Sequence, residues 1–394
     1  VSGSRALAFV VQRYGAGVTG GSETLARAVA ERLAGDFDVT VFTTCALDYV
    51  TWRNELPAGL AREGGVDVLR FPVQEERDLA AFNRFSDTLY GRPHTVDEEM
   101  EWLRRQGPYV PELVLALQER QAEFRATFFF TYLYYPTCVG LQAAPARSIL
   151  VPTTHDEPPL AFSIYRAVFG LPRAFAFLTV PEAELVRSRF DLGGRPFEVA
   201  GMGVDLPAAP DVEGFRERHG LRTQPYLLYA GRIDAGKGCA EMIEHYQAYR
   251  EQNGSPLPLL LIGQLNMELP PLKGLRYLGY LPDDEKRAAV SGASIVICPG
   301  PYESLSIVML EAMAAGVPAL VNGRSEVLRD HCVRSNGGLY YESDDEFTAV
   351  IELLMRDRGL REALSEAGQR YVRENYRWEA VMEKYRRLIR LVSA

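Results

Sequence analysis

Short apolar runs alternate with amphipathic stretches along most of the chain. The first run, 6–11 (ALAFVV), is rich in β-formers. A glycine-rich loop follows at 15–21. Ser22 is placed to cap a helix reaching about Leu33, with leucine, alanine and valine at helical spacing. Residues 39–43 (VTVFT) predict the next strand. Strand, loop, helix, strand is a βαβ unit, which requires a parallel sheet and a right-handed crossover. Residues 66–71, 128–132, 149–151, 175–180 and 196–199 continue the strand series, and 77–105 read as helical.

A turn broken by Gly201 and Gly203, then Pro207 and Pro210, interrupts the alternation. It restarts with strands at 226–229, 257–262, 276–278, 294–298 and 319–321, and with helices starting near Cys239, Pro282, Ser304 and Ser325. Two blocks of βα alternation predict two doubly wound α/β domains facing across a cleft. The expected domains are 1–203 and 204–375, with 376–394 as a final helix. Ligands of such sheets bind beyond the carboxyl ends of the strands.

Composition narrows the class. The 394 residues are 47% hydrophobic and 24% charged, which excludes a disordered chain. A net charge of −9 argues against nucleic acid as a partner. Cys45, Cys138, Cys239, Cys298 and Cys332 are odd in number and widely spaced, which predicts buried thiols in a reducing compartment rather than disulfides or zinc. No signal-peptide pattern opens the chain, and Ser2-Gly-Ser4 reads as a cloning remnant. The most apolar run, 126–141, contains Pro136 and falls short of the roughly 20 residues that span a bilayer. The expectation is a cytoplasmic protein, with contact at a membrane surface left open.

The densest candidate chemistry lies at 302–316 (YESLSIVMLEAMAAG), directly after a strand. Ser304 or Ser306 is placed to cap a helix that ends at Gly316. Glu303 and Glu311 stand eight residues apart; on one helix their Cα atoms would be about 12 Å apart. A glycosidase carboxylate pair needs roughly 5–9.5 Å. The wider spacing suits two ends of an extended ligand. Free N–H groups at the helix start favour an anion between them, as in a nucleotide sugar. Glu311 sits in an apolar helix, where an idle carboxylate is costly.

A second loop, Gly231-Arg-Ile-Asp-Ala-Gly-Lys-Gly238, follows the first strand of the second block. Arg232 and Lys237 could fork onto and neutralise a diphosphate. Either segment alone also fits an ordinary capped helix or basic turn. His155 follows a strand of the first block, beside Asp156 and Glu157, and fits either a ligand contact or a local backbone cap. Asp36-Phe-Asp38 has D-x-D metal spacing but falls at the amino ends of the strands, away from the ligand side, and predicts no metal site. Asp283-Asp284 and Asp344-Asp345 read as helix starts.

Together these residues resemble the retaining nucleotide-sugar glycosyltransferases of family 4, which have the GT-B fold. The likeness rests on Gly20-Gly21-Ser-Glu23, the 231–238 loop, Gly279-Tyr-Leu-Pro-Asp283, the Glu303/Glu311 spacing and Trp378-Glu379. It covers the second domain and both ends of the first, and is weak over 48–147.

The resemblance implies transfer of a hexose from a nucleoside diphosphate, UDP or GDP favoured, to a hydroxyl acceptor: a glycan, glycolipid or small molecule. The mechanism it implies is front-face displacement without cofactor or metal. Arg232 and Lys237 would hold the diphosphate, Glu303 and His155 the transferred sugar, and Glu311 the ribose. Leu305, Ser306 and Ile307 would offer backbone N–H groups, Tyr280 and Leu281 would meet the base, and the Gly20-Gly21 loop would close over the diphosphate. Ser306 replaces the family's usual glycine. The final segment, apolar on one face and basic on the other, would cross back to the first domain. A sugar-nucleotide epimerase and a non-catalytic nucleotide-sugar-binding subunit remain alternative readings.

Overall fold

The computed structural model describes residues 5–18, 20–205, 209–254 and 256–393. Ser2-Gly-Ser4, Pro207 and position 19 of the glycine-rich loop lie outside them. The chain divides into two compact units, Val1–Gly201 with Met382–Ala394, and Met202–Val381. The boundary falls at Gly201/Met202 and the return at Met382, against 203/204 and 376 in the sequence reading.

In the first unit, β1 (Ala6–Val10), β2 (Asp38–Thr44), β3 (Gly59–Glu63), β4 (Val66–Phe71), β5 (Ala126–Phe130), β6 (Ser148–Val151), β7 (Ala174–Phe177) and β8 (Phe197–Val199) form one sheet. Its order is β3-β4-β2-β1-β5-β6-β7-β8. All pairs are parallel except β3 with β4. The central strands are buried almost throughout, and apolar but for Thr127 and Ser148, because helices cover both faces of a parallel sheet. The predicted helix 77–105 is two helices, Leu79–Leu89 and Val96–Gln106. The break holds Gly91 at φ 79° and Pro93, neither of which suits a helix interior.

In the second unit, β9 (Leu227–Ala230), β10 (Leu259–Ile262), β11 (Leu275–Tyr277), β12 (Ile295–Cys298), β13 (Ala319–Asn322) and β14 (Gly338–Tyr341) run parallel in the order β11-β10-β9-β12-β13-β14. This is the doubly wound order with its switch point between β9 and β12. The first unit has its switch point between β1 and β5. All five cysteines are buried free thiols.

The last helix, Trp378–Ser393, begins in the second unit and completes the first. Val381, Met382, Tyr385, Leu388, Ile389 and Val392 are buried along one stripe, the spacing of an amphipathic helix. Tyr385 packs on Phe128 of β5 with ring centroids 5.9 Å apart. The basic face is tied down as well. Arg386 reaches Asp36 at 2.7 Å, Arg387 reaches Glu198 at 3.0 Å, and Lys384 donates to the Val199 carbonyl at 2.8 Å. Asp36 of the D-x-D triplet is thus a docking residue for this helix. Tyr385→Ala should destabilise the first unit by about 3 kcal/mol, the usual cost of emptying a buried aromatic site. Urea unfolding followed through Trp52 and Trp102, both in that unit, would measure it.

Candidate functional site

Two loops meet at the switch point of the second sheet. The chain leaves β9 through Gly231 and Arg232, makes a single 3-10 turn at Ala235–Lys237, and enters the helix Cys239–Gln252 through Gly238. Asp234 caps the turn, accepting from the Lys237 N–H at 2.8 Å, and pairs with the Arg232 guanidinium. Gly238 has φ 72°, and a Cβ there would collide with the Pro299 carbonyl just beyond β12. Only glycine satisfies both demands.

The second loop, 299–306, carries Glu303 into contact with the first: Lys237 Nζ lies 2.9 Å from Glu303 Oε1. The sequence reading assigned these two side chains to different parts of a ligand, and the structure brings them together. The following helix begins at Ile307, three residues later than expected. Ser306 occupies its N-cap position at φ 60°, ψ 75°, with no side-chain cap hydrogen bond. That left-handed backbone is where glycine is usual, and it turns the Ser306 hydroxyl away from the capping role. Ser304 does not cap the helix either. Glu303 is therefore outside the helix, and the 12 Å spacing does not apply.

Glu311 lies within the helix Ile307–Ala314 and is half-buried. Lys286, from the helix Asp283–Gly292, contacts both its oxygens, at 2.8 Å and 2.6 Å. The sequence reading missed Lys286, whose partner is 25 residues away. It also missed His331, 1% exposed in the helix Glu326–Ser335. His331 Nε2 is 3.0 Å from the Leu305 carbonyl, and Nδ1 is 3.0 Å from the Tyr371 hydroxyl. A ring donating from Nε2 and accepting at Nδ1 satisfies both contacts. Burial lowers its pKa to about 4, so the neutral ring braces the 305–307 turn. Tyr280 stands 73% exposed after β11, with Leu281 half-buried beside it. Leu305 is buried, and Ile307 opens the helix.

Gly20, Gly21 and His155 belong to the first unit. Gly20, at φ 151°, is the N-cap of the helix Gly21–Leu33, and Ser22 lies inside that helix instead of capping it. A Cβ on Gly20 would collide with the Glu23 carboxylate. Glu23 forms a buried ion pair with Arg13 at 2.6 Å, and Arg13 also donates to the Leu47 carbonyl at 2.8 Å.

His155 follows β6 in a turn held from below. Glu182, fully buried, accepts from the N–H groups of Thr154 at 2.7 Å and Leu178 at 2.6 Å. Burial raises its pKa to about 7 against the pull of these hydrogen bonds. Glu157, also raised by burial, accepts from the Tyr132 hydroxyl at 2.8 Å. Asp156 pairs with Arg189 at 3.0 Å. Among the described residues no group of three or more His, Cys, Asp or Glu converges. Asp283-Asp284 and Asp344-Asp345 do open helices.

The model of the family described as glycosyl transferases group 1 matches residues 211–371. The second unit is a glycosyl transferases group 1 domain. All the site residues of that unit fall inside the matched span. The chain is similar to phosphatidyl-myo-inositol mannosyltransferase of Mycobacterium leprae, 31% identical over 51% of this chain and 55% of that protein. It is also similar to an uncharacterized glycosyltransferase of Methanocaldococcus jannaschii, 27% identical over 43% of this chain and 46% of that one. The chain spans about half the length of the curated relatives it matches.

Solved structures are similar over nearly the whole chain. Sucrose-phosphate synthase from Thermosynechococcus elongatus matches with a TM-score of 0.72 at 19% identity, covering 98% of each chain. Anabaena HepE, solved with UDP-glucose, matches at 0.70 and 14%, covering 98% and 99%. The fold is GT-B, built of two Rossmann-like units. No helix of the described residues is long and apolar enough to cross a membrane.

Ser306→Gly should relieve the left-handed strain, roughly 1–2 kcal/mol. Greater freedom of the unfolded chain offsets part of that gain. The net expectation is a gain of up to about 1 kcal/mol, read as a rise in Tm.

His331 gives a pH signature. An unfolded imidazole protonates near the usual 6.5, but the folded one only near 4. Its contribution is complete above pH 6.5 and is lost as pH falls toward 4, to a total of about 3 kcal/mol. His331→Gln should abolish that part of the slope in denaturation measured from pH 7 to pH 4.

Proposed function

We infer that the protein is a retaining glycosyltransferase that moves a hexose from a nucleoside diphosphate sugar to a hydroxyl acceptor. The observation that carries this reading is the Lys237–Glu303 contact at the switch point of the group 1 domain. A diphosphate placed there meets the ammonium of Lys237 and the guanidinium of Arg232 on one loop. Drawing Lys237 onto phosphate oxygens releases the Glu303 carboxylate for sugar hydroxyls. The exchange trades a partly exposed ion pair, worth about 0.2–1 kcal/mol, for charge-assisted bonds to the ligand. The free N–H groups near Ile307 add a partial positive charge. Glu311 accepts from the ribose hydroxyls, and exposed Tyr280 with Leu281 offers a surface to the base. The UDP-glucose held by HepE and the mannosyltransferase relative support a hexose donor.

The chemistry follows from charge placement. As the bond from C1 to the β-phosphate oxygen breaks, the acceptor oxygen bonds to C1 on the same face. The acceptor proton passes to the departing phosphate oxygen. Arg232 and Lys237 stabilise the charge that develops on the diphosphate, the kind of electrostatic help that dominates many rate enhancements. His155, in the turn that Glu182 anchors, is assigned to the transferred sugar on the family resemblance alone. Two cations on one loop neutralise the leaving group without requiring a metal.

Calorimetry with UDP, GDP, ADP and TDP, each with and without Mg²⁺, tests the donor assignment. One nucleotide should bind clearly tighter than the rest whether or not Mg²⁺ is present; no binding by any of them defeats the reading. Lys237→Ala should lower turnover on the order of 10²–10³-fold with the fold intact. Undiminished activity in that variant would remove Lys237 from the mechanism.

A further inference from the structure

Lys286 is unusual among the charges of its helix. Its neighbours face other helices or their own: Arg287 takes Asp284 at 2.8 Å, and Glu285 takes Arg218 at 2.7 Å. Lys286 alone reaches the helix Ile307–Ala314, and its ammonium rests on both oxygens of Glu311. Its backbone N–H donates to the Pro282 carbonyl at 2.8 Å, so it is anchored one turn after Tyr280-Leu281-Pro282. The side chains of Lys286 and Glu311 are 29% and 27% exposed, which leaves the pair reachable from solvent.

An ammonium has three N–H donors, and a carboxylate has about four acceptor sites. The ammonium donates to Oε1 and lies 2.6 Å from Oε2, which is buried and accepts no hydrogen bond, so the pair still presents N–H donors beside unused lone pairs. That combination complements a vicinal diol. One hydroxyl donates to the carboxylate; the other donates to it and also accepts from the ammonium. A bare carboxylate would read only the donors.

We propose that Lys286 is a specificity-determining residue of the nucleotide pocket, acting with Glu311 as one unit that selects ribonucleoside over 2′-deoxyribonucleoside diphosphates. This rests on the reading of Glu311 as the ribose contact. A ligand without the 2′-hydroxyl leaves an ammonium donor and one acceptor site without ligand partners. At a half-exposed site that loss corresponds to about tenfold in affinity.

The test is the ratio of dissociation constants, deoxy over ribo, for UDP and for GDP, by calorimetry on the full chain. The wild-type ratio should be about tenfold for whichever nucleotide binds tighter. Lys286→Met should reduce it to about twofold. Lys286→Arg, which keeps a cation and guards against a folding artefact, should retain most of it. A ratio in Lys286→Met that is unchanged or larger would overturn the proposal and leave the donor site standing. Failure of the wild type to bind any of UDP, GDP, ADP and TDP would instead overturn the donor site, and this proposal with it; binding of ADP or TDP alone moves the same comparison to that base.

Discussion

The Pro299 carbonyl, just past the end of β12, accepts a hydrogen bond from the Asn322 side chain at 3.0 Å and leaves no room for a side chain at Gly238. One oxygen thus fixes the spacing of three strand ends: β9 through its loop, β12 directly and β13 through Asn322. The rest of the site inherits its geometry from that spacing. Lys237 precedes Gly238 and cannot drift from Glu303, which lies four residues past Pro299. The parallel sheet makes this possible because β9 and β12 end on the same side and adjoin each other. His331 completes the frame by pinning the Leu305 carbonyl.

Charge in this region is arranged in opposed pairs: Arg232 with Asp234, Lys237 with Glu303, Lys286 with Glu311. Each is partly open to solvent, so each contributes little to stability. Weak pairs suit a site that must exchange partners. The buried pair Arg13–Glu23 is the opposite case. Breaking it would strand a charge in the interior, at a cost of several kcal/mol. It is a fixed support for the first helix, not an exchangeable contact.

Much of the fold was legible in the sequence because a parallel strand covered on both faces must be apolar along its whole length. LAFV, FFF, SILV, LLLI and IVIC announce themselves in this way. The strands that escaped notice are two of the four edges. Residues 59–63 (GLARE) pair on one side only and carry no apolar run, and 338–341 (GLYY) are short and glycine-led. Helix starts were legible where a side chain caps, as at Ser325. They were misplaced where backbone geometry decides, as at Gly20 and Ser306. The charged and glycine positions of the two loops could be read from spacing. The supports around the candidate residues could not: Lys286 reaches Glu311, His331 the Leu305 carbonyl and Glu182 the Thr154 N–H, groups 25, 26 and 28 residues distant, and no local pattern records such contacts.

The return of the last helix to the first unit has a consequence for how the molecule is made. Phe128 and the neighbouring β5 surface are synthesised some 257 residues (385 − 128) before Tyr385, which covers them. A ribosome delivers the chain from its amino end, so the first unit emerges early with an apolar strip uncovered. The second unit is continuous and can close as soon as its own residues are out. The molecule therefore finishes in reverse order of its numbering: the unit begun first is the one completed last, and the uncovered strip in between is where a nascent-chain chaperone would find its purchase.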